Sequence, residues 1–174
     1  MKKLILALPL LAAIISPTHA QANEGVYKTN TIKRMYRDAA ITMKKYDNAD
    51  ELNTIYAYSN RELQNAVAIT KADAINFLEE NGGMVSYCNE VRAILSLSEG
   101  DESILESNGL DFVLLKNGRV RTNMYTKHYK NLNSPDYLFF KDFSLKCEGA
   151  SCKVTDIYNH TGESGMSAAN KYCR

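Results

Sequence analysis

The chain has 174 residues, of which 21 are Lys or Arg and 20 are Asp or Glu, so its formal charge is +1 at pH 7. A chain this close to neutrality lacks the electrostatic footprint of proteins that bind nucleic acids or anionic membranes. Its length suits one domain with a substantial core, and we find no internal repeat, low-complexity stretch or proline-rich linker. We therefore expect a single domain that binds no nucleic acid.

The first 22 residues, MKKLILALPLLAAIISPTHAQA, have the three-part composition of a secretory signal peptide. Two lysines precede an apolar run of about a dozen residues, which is shorter than the roughly 20 that a membrane-spanning helix needs. A signal peptide therefore fits better than a retained anchor. Cleavage is expected after Ala20 or Ala22, and we take residues 23–174 as the mature domain. We expect this domain to be periplasmic or secreted, with no segment inserted in the membrane.

The four cysteines are interpreted as two structural disulfide bonds. An even number of cysteines in an exported chain favours disulfides, because the compartment is oxidising. The positions Cys88, Cys147, Cys152 and Cys173 lack the close pairs of a zinc site and the C-x-x-C spacing of a redox motif. Aromatic and β-branched residues flank Cys147 and Cys152, which predicts a hairpin that places these two cysteines opposite each other. We predict the bonds Cys147–Cys152 and, by elimination, Cys88–Cys173, and we expect no metal or cofactor.

The first half of the mature chain is predicted to be helical. Apolar residues at three- and four-residue steps indicate an amphipathic helix over residues 30–46, and a short helix follows over residues 50–57. Ser59, with Glu62 three residues later, forms a capping box that predicts the start of a third helix, which ends at the sequence ENGG. The segment Ser86–Ser98 is compatible with a strand or a fourth helix, and we favour a helix for its first part.

The second half is predicted to form two β-hairpins. An Asn-Gly pair within LDFVLLKNGRVRTNMYT indicates a two-residue turn, which places Leu115 opposite Val120. In the second hairpin, a four-residue loop over residues 148–151 places Phe143 opposite Asp156. Helices followed by hairpins indicate an α+β fold, in which amino-terminal helices pack on a curved antiparallel sheet of two successive hairpins, stapled by two disulfides.

This order of elements, with SPDYLFFKDF leading into CKVTDIYNHTGES, resembles the cone-shaped nuclear-transport-factor-2-like superfamily. More narrowly, it resembles small uncharacterised bacterial periplasmic domains of that superfamily, and it extends over roughly residues 32–173. The resemblance implies that helices and sheet enclose a pocket. Such a pocket is catalytic in some members and only binds in others, so fold alone does not assign function.

Two residues are candidates for catalysis. Asp156, on a largely apolar strand face in the predicted register, could act as a general base, and His128 could act as a proton donor. We favour the alternatives, in which Asp156 is exposed or pairs with Lys141 and His128 is a surface residue. No Cys-His or Ser-His-Asp constellation is recognisable, so we assign no catalytic residue.

Eleven tyrosines and no tryptophan are the one unusual feature of the composition. Tyrosine provides broad contact area with a polar tip, which suits recognition of proteins or glycans. The alternative is that these side chains line the edges of a small core. The candidate binding residues are Tyr36, Tyr56, Tyr58, Tyr125, His128, Tyr129, Asp156 and Tyr158.

From these observations we expect an exported non-enzymatic binding protein, whose partner is another protein or a small envelope ligand. One version is an inhibitor or immunity protein of the bacterial envelope. The alternatives are a small pocket enzyme that uses Asp156 or His128, and a structural accessory of an envelope complex. A deep cavity lined by an acid and a tyrosine would favour the enzyme, whereas a shallow protruding loop with clustered tyrosines would favour the binding protein.

Overall fold

The computed structural model describes residues 18–46, 49–81, 87–98, 109–125 and 138–173. The described chain forms five helices and one four-stranded antiparallel sheet, and four of the helices precede the first strand. The α+β class is therefore confirmed. The elements are α1 (Thr18–Lys45), α2 (Glu51–Tyr58), α3 (Arg61–Asn81), α4 (Tyr87–Leu95), β1 (Leu110–Leu114), β2 (Val120–Tyr125), β3 (Leu138–Glu148), β4 (Ser151–Tyr158) and α5 (Gly165–Tyr172).

Helix α1 is longer than predicted, because it begins at Thr18 and not at residue 30. Its buried apolar side chains lie on the predicted apolar stripe and pack into the core; they are Ile32, Met35, Tyr36 and Ala39. Helix α4 settles the ambiguity between helix and strand in favour of the helix. Helix α3 ends at Asn81, within the predicted terminator, whose two glycines lie outside the described residues.

The predicted amino-terminal cap of α3 was wrong by one residue. The Asn60 side-chain oxygen accepts a hydrogen bond from the backbone N–H of Leu63 at 3.0 Å, which makes Asn60 the cap. The Ser59 hydroxyl donates instead to the Ile55 carbonyl at 2.7 Å, so it ends α2 and does not begin α3. Asn is as good a cap as Ser, and the two are adjacent, so the sequence pattern does not distinguish them.

The first hairpin joins β1 and β2 in a register that differs from the prediction. Leu114, and not Leu115, pairs with Val120. The loop has three residues, 116–118, because Gly118 alone takes the left-handed conformation (φ +80°) and donates its N–H to the Leu115 carbonyl at 2.9 Å. This is the three-residue hairpin in which a left-handed glycine follows the turn, which shifts the register by one residue.

The second hairpin joins β3 and β4, and it pairs Cys147 with Cys152 as predicted. Its turn is shorter than predicted, because Glu148 pairs with Ser151 and only residues 149–150 remain in the loop. The predicted pairing of Phe143 with Asp156 was wrong. A register shift between Ser144 and Leu145 leaves one extra residue in β4, so Ser144 lies opposite Asp156.

Both predicted disulfides are present. Cys147–Cys152 joins the two strands of the second hairpin, and Cys88–Cys173 joins α4 to the residue that follows α5; the Cα atoms are 4.0 and 5.1 Å apart. Disulfides indicate folding in an oxidising, extracellular compartment. Among the described helices, none combines the length and apolar character needed to cross a membrane.

The core lies between the helices and the inner face of the sheet. Tyr36 is 1% exposed, and its ring packs edge-on against Phe112 and Phe143 at centroid distances of 5.7 and 6.0 Å. Lys141 is also fully buried on this face. Its Nζ donates to carbonyls at the end of α4, at 2.5 Å to Ala93 and 2.9 Å to Ile94. A cation at this end of a helix is favourable, because the last carbonyls carry partial negative charge.

Candidate binding surface

Asp156 is a buried residue that stabilises the beginning of α5. Its carboxylate accepts hydrogen bonds from the Ser164 hydroxyl at 2.6 Å and from the Met166 N–H at 3.1 Å, besides its own neighbour Ile157 at 2.8 Å. Ser164 is the N-cap of α5, and its oxygen in turn accepts from the Ser167 N–H. The carboxylate thus satisfies donors at a helix start, where negative charge is favourable.

The predicted tyrosine cluster is divided between the interior and the surface. Tyr36 is a core residue whose hydroxyl donates to the Leu97 carbonyl at 3.1 Å. Tyr56 is 45% exposed, and Tyr58 is half-buried beside it on α2. The side chain of Tyr125 lies outside the described residues, as do His128 and Tyr129, so their predicted binding roles stay predictions.

Tyr158 lies on the outer face of the sheet, beneath the guanidinium of Arg119, whose Cζ is 3.5 Å from the ring centroid. On the same face, Arg121 lies 3.7 Å from the ring centroid of Phe140 and forms two hydrogen bonds, of 2.7 and 2.9 Å, with the Asp142 carboxylate. The hydrogen bonds with Asp142 raise the pKa of Arg121. Each arginine is therefore stacked on an aromatic ring of the sheet, and these contacts fix the two side chains on its outer face.

The distal part of the second hairpin projects beyond its neighbour strand. Strand β2 pairs with β3 only as far as Phe143, so residues 144–148 of β3 pair with β4 alone. We refer to residues 146–153 as the hairpin tip. The Cys147–Cys152 bond crosses the tip. The end of α2 and the junction between α2 and α3 support its base: Lys153 donates to the Ala57 carbonyl at 3.1 Å, and the Asn60 N–H donates to the Val154 carbonyl at 2.8 Å. The tip is therefore a braced projection.

One side of the hairpin tip faces α1 across an open groove of about 470 Å³, which we refer to as the α1 groove. The described residues of its lining are Tyr27, Asn30, Lys33, Arg34, Arg37 and Ala150, which include three cations and no carboxylate. All six are exposed. Such a groove concentrates positive potential within a nearly neutral protein.

Asp38 connects Tyr58 to the cations of the α1 groove, because its carboxylate contacts both Tyr58 and Arg37. Its hydroxyl donates to the Asp38 carboxylate at 2.6 Å, and the same carboxylate accepts from Arg37 at 3.2 Å. Burial raises the pKa of Tyr58, and the Asp38 carboxylate raises it further, while Arg34 and Arg37 act in the opposite direction. This predicted binding residue therefore connects α2 to Asp38, which in turn contacts Arg37 of the groove.

The other side of the hairpin tip faces α3 across a second open groove, of about 370 Å³. Two acids and two lysines contribute to its lining, which consists of Asn60, Glu62, Lys146, Glu148, Ser151 and Lys153. Charges of both signs make this groove electrostatically mixed, in contrast to the α1 groove. The hairpin tip thus has two flanks of different charge.

The sequence patterns did not identify the α1 groove. They assigned the basic residues of α1 to the exposed side of an amphipathic helix, and this assignment is correct for Lys33, Arg34 and Arg37. The groove forms because the hairpin tip, more than a hundred residues later in the chain, brings Ala150 to the same side chains. Periodicity along one helix carries no signal for such a contact.

Within the described ranges, no group of three His, Cys, Asp or Glu residues is arranged to hold a metal ion. Comparison with protein-family models, curated proteins and solved structures finds no match to this chain. The hairpin tip and the α1 groove are therefore the basis on which a function is assigned.

Proposed function

We propose that the protein is a non-enzymatic binding protein that is periplasmic or secreted after removal of residues 1–22, and that it recognises another protein through the hairpin tip and the α1 groove. An inhibitor or immunity protein that blocks an envelope enzyme fits this proposal. Two disulfides support the oxidising compartment on which it depends.

The braced projection of the hairpin tip is the observation that carries the proposal. Ordering a flexible loop during association costs free energy, and a loop already held in one shape avoids that cost. Here a disulfide crosses the tip, and a backbone hydrogen bond and one from the Lys153 side chain hold its base. Both flanks are open grooves, so a partner could enclose the tip and contact α1 or α3 at the same time.

The pocket-enzyme alternative has less support than the binding protein. One of its two candidate residues, Asp156, uses its carboxylate to stabilise the start of α5. The other, His128, lies outside the described residues. We also propose membership of the nuclear-transport-factor-2-like superfamily, which the order of helices before two hairpins supports.

Affinity capture from an envelope extract of the source organism, followed by mass spectrometry, tests the proposed function. The bait is the mature chain, compared with the variants Ala150→Arg and Ala72→Arg, which place the same large side chain at two exposed positions. Ala150 lines the α1 groove at the hairpin tip, whereas Ala72 belongs to α3. We expect one protein partner to be retained by the wild type and by Ala72→Arg, and to be lost by Ala150→Arg.

Two results would contradict the proposed function. One is equal recovery of the same partner with Ala150→Arg, which would place recognition elsewhere on the surface. The other is recovery of no specific protein, together with a small molecule that raises the melting temperature, which would favour the pocket alternative.

A further inference from the structure

We propose that the α1 groove binds an extended, acidic segment of a partner polypeptide. This inference rests on the proposed function and adds the chemical class of the partner. The charge of the lining, the length of the groove and the shape of its wall favour such a partner.

The charge of the lining selects an anionic ligand. Lys33, Arg34 and Arg37 are exposed, and among the residues that the structure describes no carboxylate lines the groove with them. Asp38 is an acid that contacts a lining residue, since its carboxylate accepts hydrogen bonds from Tyr58 and from Arg37. This carboxylate offsets the cation of Arg37. Lys33 lies 5.8 Å from the ring centroid of Phe112, and Arg34 donates to the Thr31 hydroxyl at 3.5 Å; neither contact neutralises the charge of the cation.

The length of the groove favours an extended chain over a small anion. The lining residues of α1 extend from Tyr27 to Arg37 at steps of three residues, except that Lys33 and Arg34 are adjacent. Ten residues of helix measure about 15 Å, which an extended peptide covers with about five residues. A single phosphate or carboxylate would reach only one or two of the cations. A peptide with several acidic side chains would reach Lys33 and Arg34 together and would compete with Asp38 for Arg37, and Tyr27 and Asn30 provide neutral hydrogen-bonding groups for its backbone.

The shape of the groove favours a polypeptide over a membrane surface. The hairpin tip contributes one residue, Ala150, to the wall opposite α1, and the turn residues Gly149 and Ala150 are small. A chain can pass between this wall and α1, whereas a flat layer of lipid headgroups meets the tip before it reaches the floor of the groove. The geometry thus assigns the groove to an acidic segment of a protein.

Fluorescence anisotropy with a labelled hexaglutamate peptide tests this inference on the mature chain. The variants are Arg34→Glu and Lys33→Glu in the groove, and Arg61→Glu on α3 is the matched control with the same change in net charge. We expect the wild type and Arg61→Glu to bind with similar affinity. We expect each groove variant to bind roughly tenfold more weakly, because like charges then face each other. Wild-type affinity should also fall when NaCl rises from about 50 to about 200 mM.

Both groove positions are exposed, so we expect the groove variants to keep the melting temperature of the wild type. Unchanged melting temperatures would exclude loss of folding as the cause of weaker binding. The inference is overturned if hexaglutamate does not bind the wild type, or if both groove variants bind it as well as Arg61→Glu does. It is also overturned if anionic lipid vesicles bind in a manner that depends on Arg34 while the peptide does not bind, because the groove would then recognise a membrane.

The two proposals fail separately. If capture from the extract still depends on Ala150 while hexaglutamate does not bind, the hairpin tip remains the recognition surface and the acidic class of partner is wrong. If hexaglutamate binds through Arg34 while capture recovers no protein, the preference of the groove stands and the proposed function is wrong.

Discussion

Asp156 is the residue whose side chain joins β4 to α5. Replacing it with alanine would leave the Ser164 hydroxyl and the Met166 N–H without their acceptor. We expect Asp156→Ala to lower the free energy of unfolding by about 1–3 kcal/mol, as measured by urea denaturation. Glu163→Ala is the matched control, since this neighbouring acid is exposed. Equal stability of the two variants would show that the carboxylate does not act as a cap.

Tyr58 should ionise at higher pH than an ordinary tyrosine, whose pKa is 10.0, because burial and Asp38 both raise its pKa. The folded protein then keeps a proton that the unfolded chain has released, so this contribution to stability is complete below pH 10.0 and is lost as pH rises through the folded pKa. The difference between ultraviolet titrations of the wild type and Tyr58→Phe should contain one ionisation above pH 10.0.

The variant Asp38→Asn separates the two causes of this shift. Removing the carboxylate should lower the pKa of Tyr58 only in part, because burial is the larger cause and remains. A midpoint that does not move in Asp38→Asn would contradict the contribution of the Asp38 carboxylate to the raised pKa of Tyr58.

At the scale of elements, the sequence determines which segments become helices and strands more clearly than it determines how they align. The apolar stripe of α1 follows from periodicity, whereas periodicity left the segment of α4 open between a helix and a strand. Both hairpins were predicted, yet a left-handed glycine in one and an extra residue in the other changed their registers. Such one-residue features depend on local turn geometry and on packing against the helices, which alternation of apolar residues does not encode.

The first hairpin offers a test of its turn. A β-carbon at Gly118 would approach only Lys28 Nζ, at 3.8 Å, so a substitution there meets no steric obstacle. We expect Gly118→Ala to lower the free energy of unfolding by about 1–2 kcal/mol, because the left-handed conformation disfavours other residues. Gly118→Asn is the control and should lose less, since asparagine tolerates this conformation. Thermal unfolding that ranks alanine above asparagine in stability would contradict the observed turn.

At the scale of the whole molecule, the two disulfides have unequal effects on the unfolded chain. The Cys88–Cys173 bond spans a sequence separation of 85, whereas Cys147–Cys152 spans 5. In the chain-entropy model, closing the long loop stabilises the fold by about 4 kcal/mol and closing the short one by about 2 kcal/mol. Urea denaturation of the two double cysteine-to-serine variants should therefore show the larger loss for the long bond. A larger loss for the short bond would contradict this account.

The short bond should matter more for recognition than for folding. We expect the variant that replaces Cys147 and Cys152 with serine to remain folded, and to show faster hydrogen exchange in the hairpin tip and weaker binding to a captured partner.

The disulfide pairs were predictable because cysteine spacing and strand composition agreed. The α1 groove was not, because it depends on the tertiary approach of the tip to α1.

The two disulfides are nested, since the pair Cys147–Cys152 lies between Cys88 and Cys173 in the chain. A polypeptide synthesised from its amino terminus presents Cys88 first and its correct partner last. Joining each cysteine to the next one to emerge would produce the wrong connectivity, Cys88 with Cys147. Faithful maturation therefore depends on the β-hairpin closing its own bond before Cys88 reacts, or on an isomerase that corrects the error.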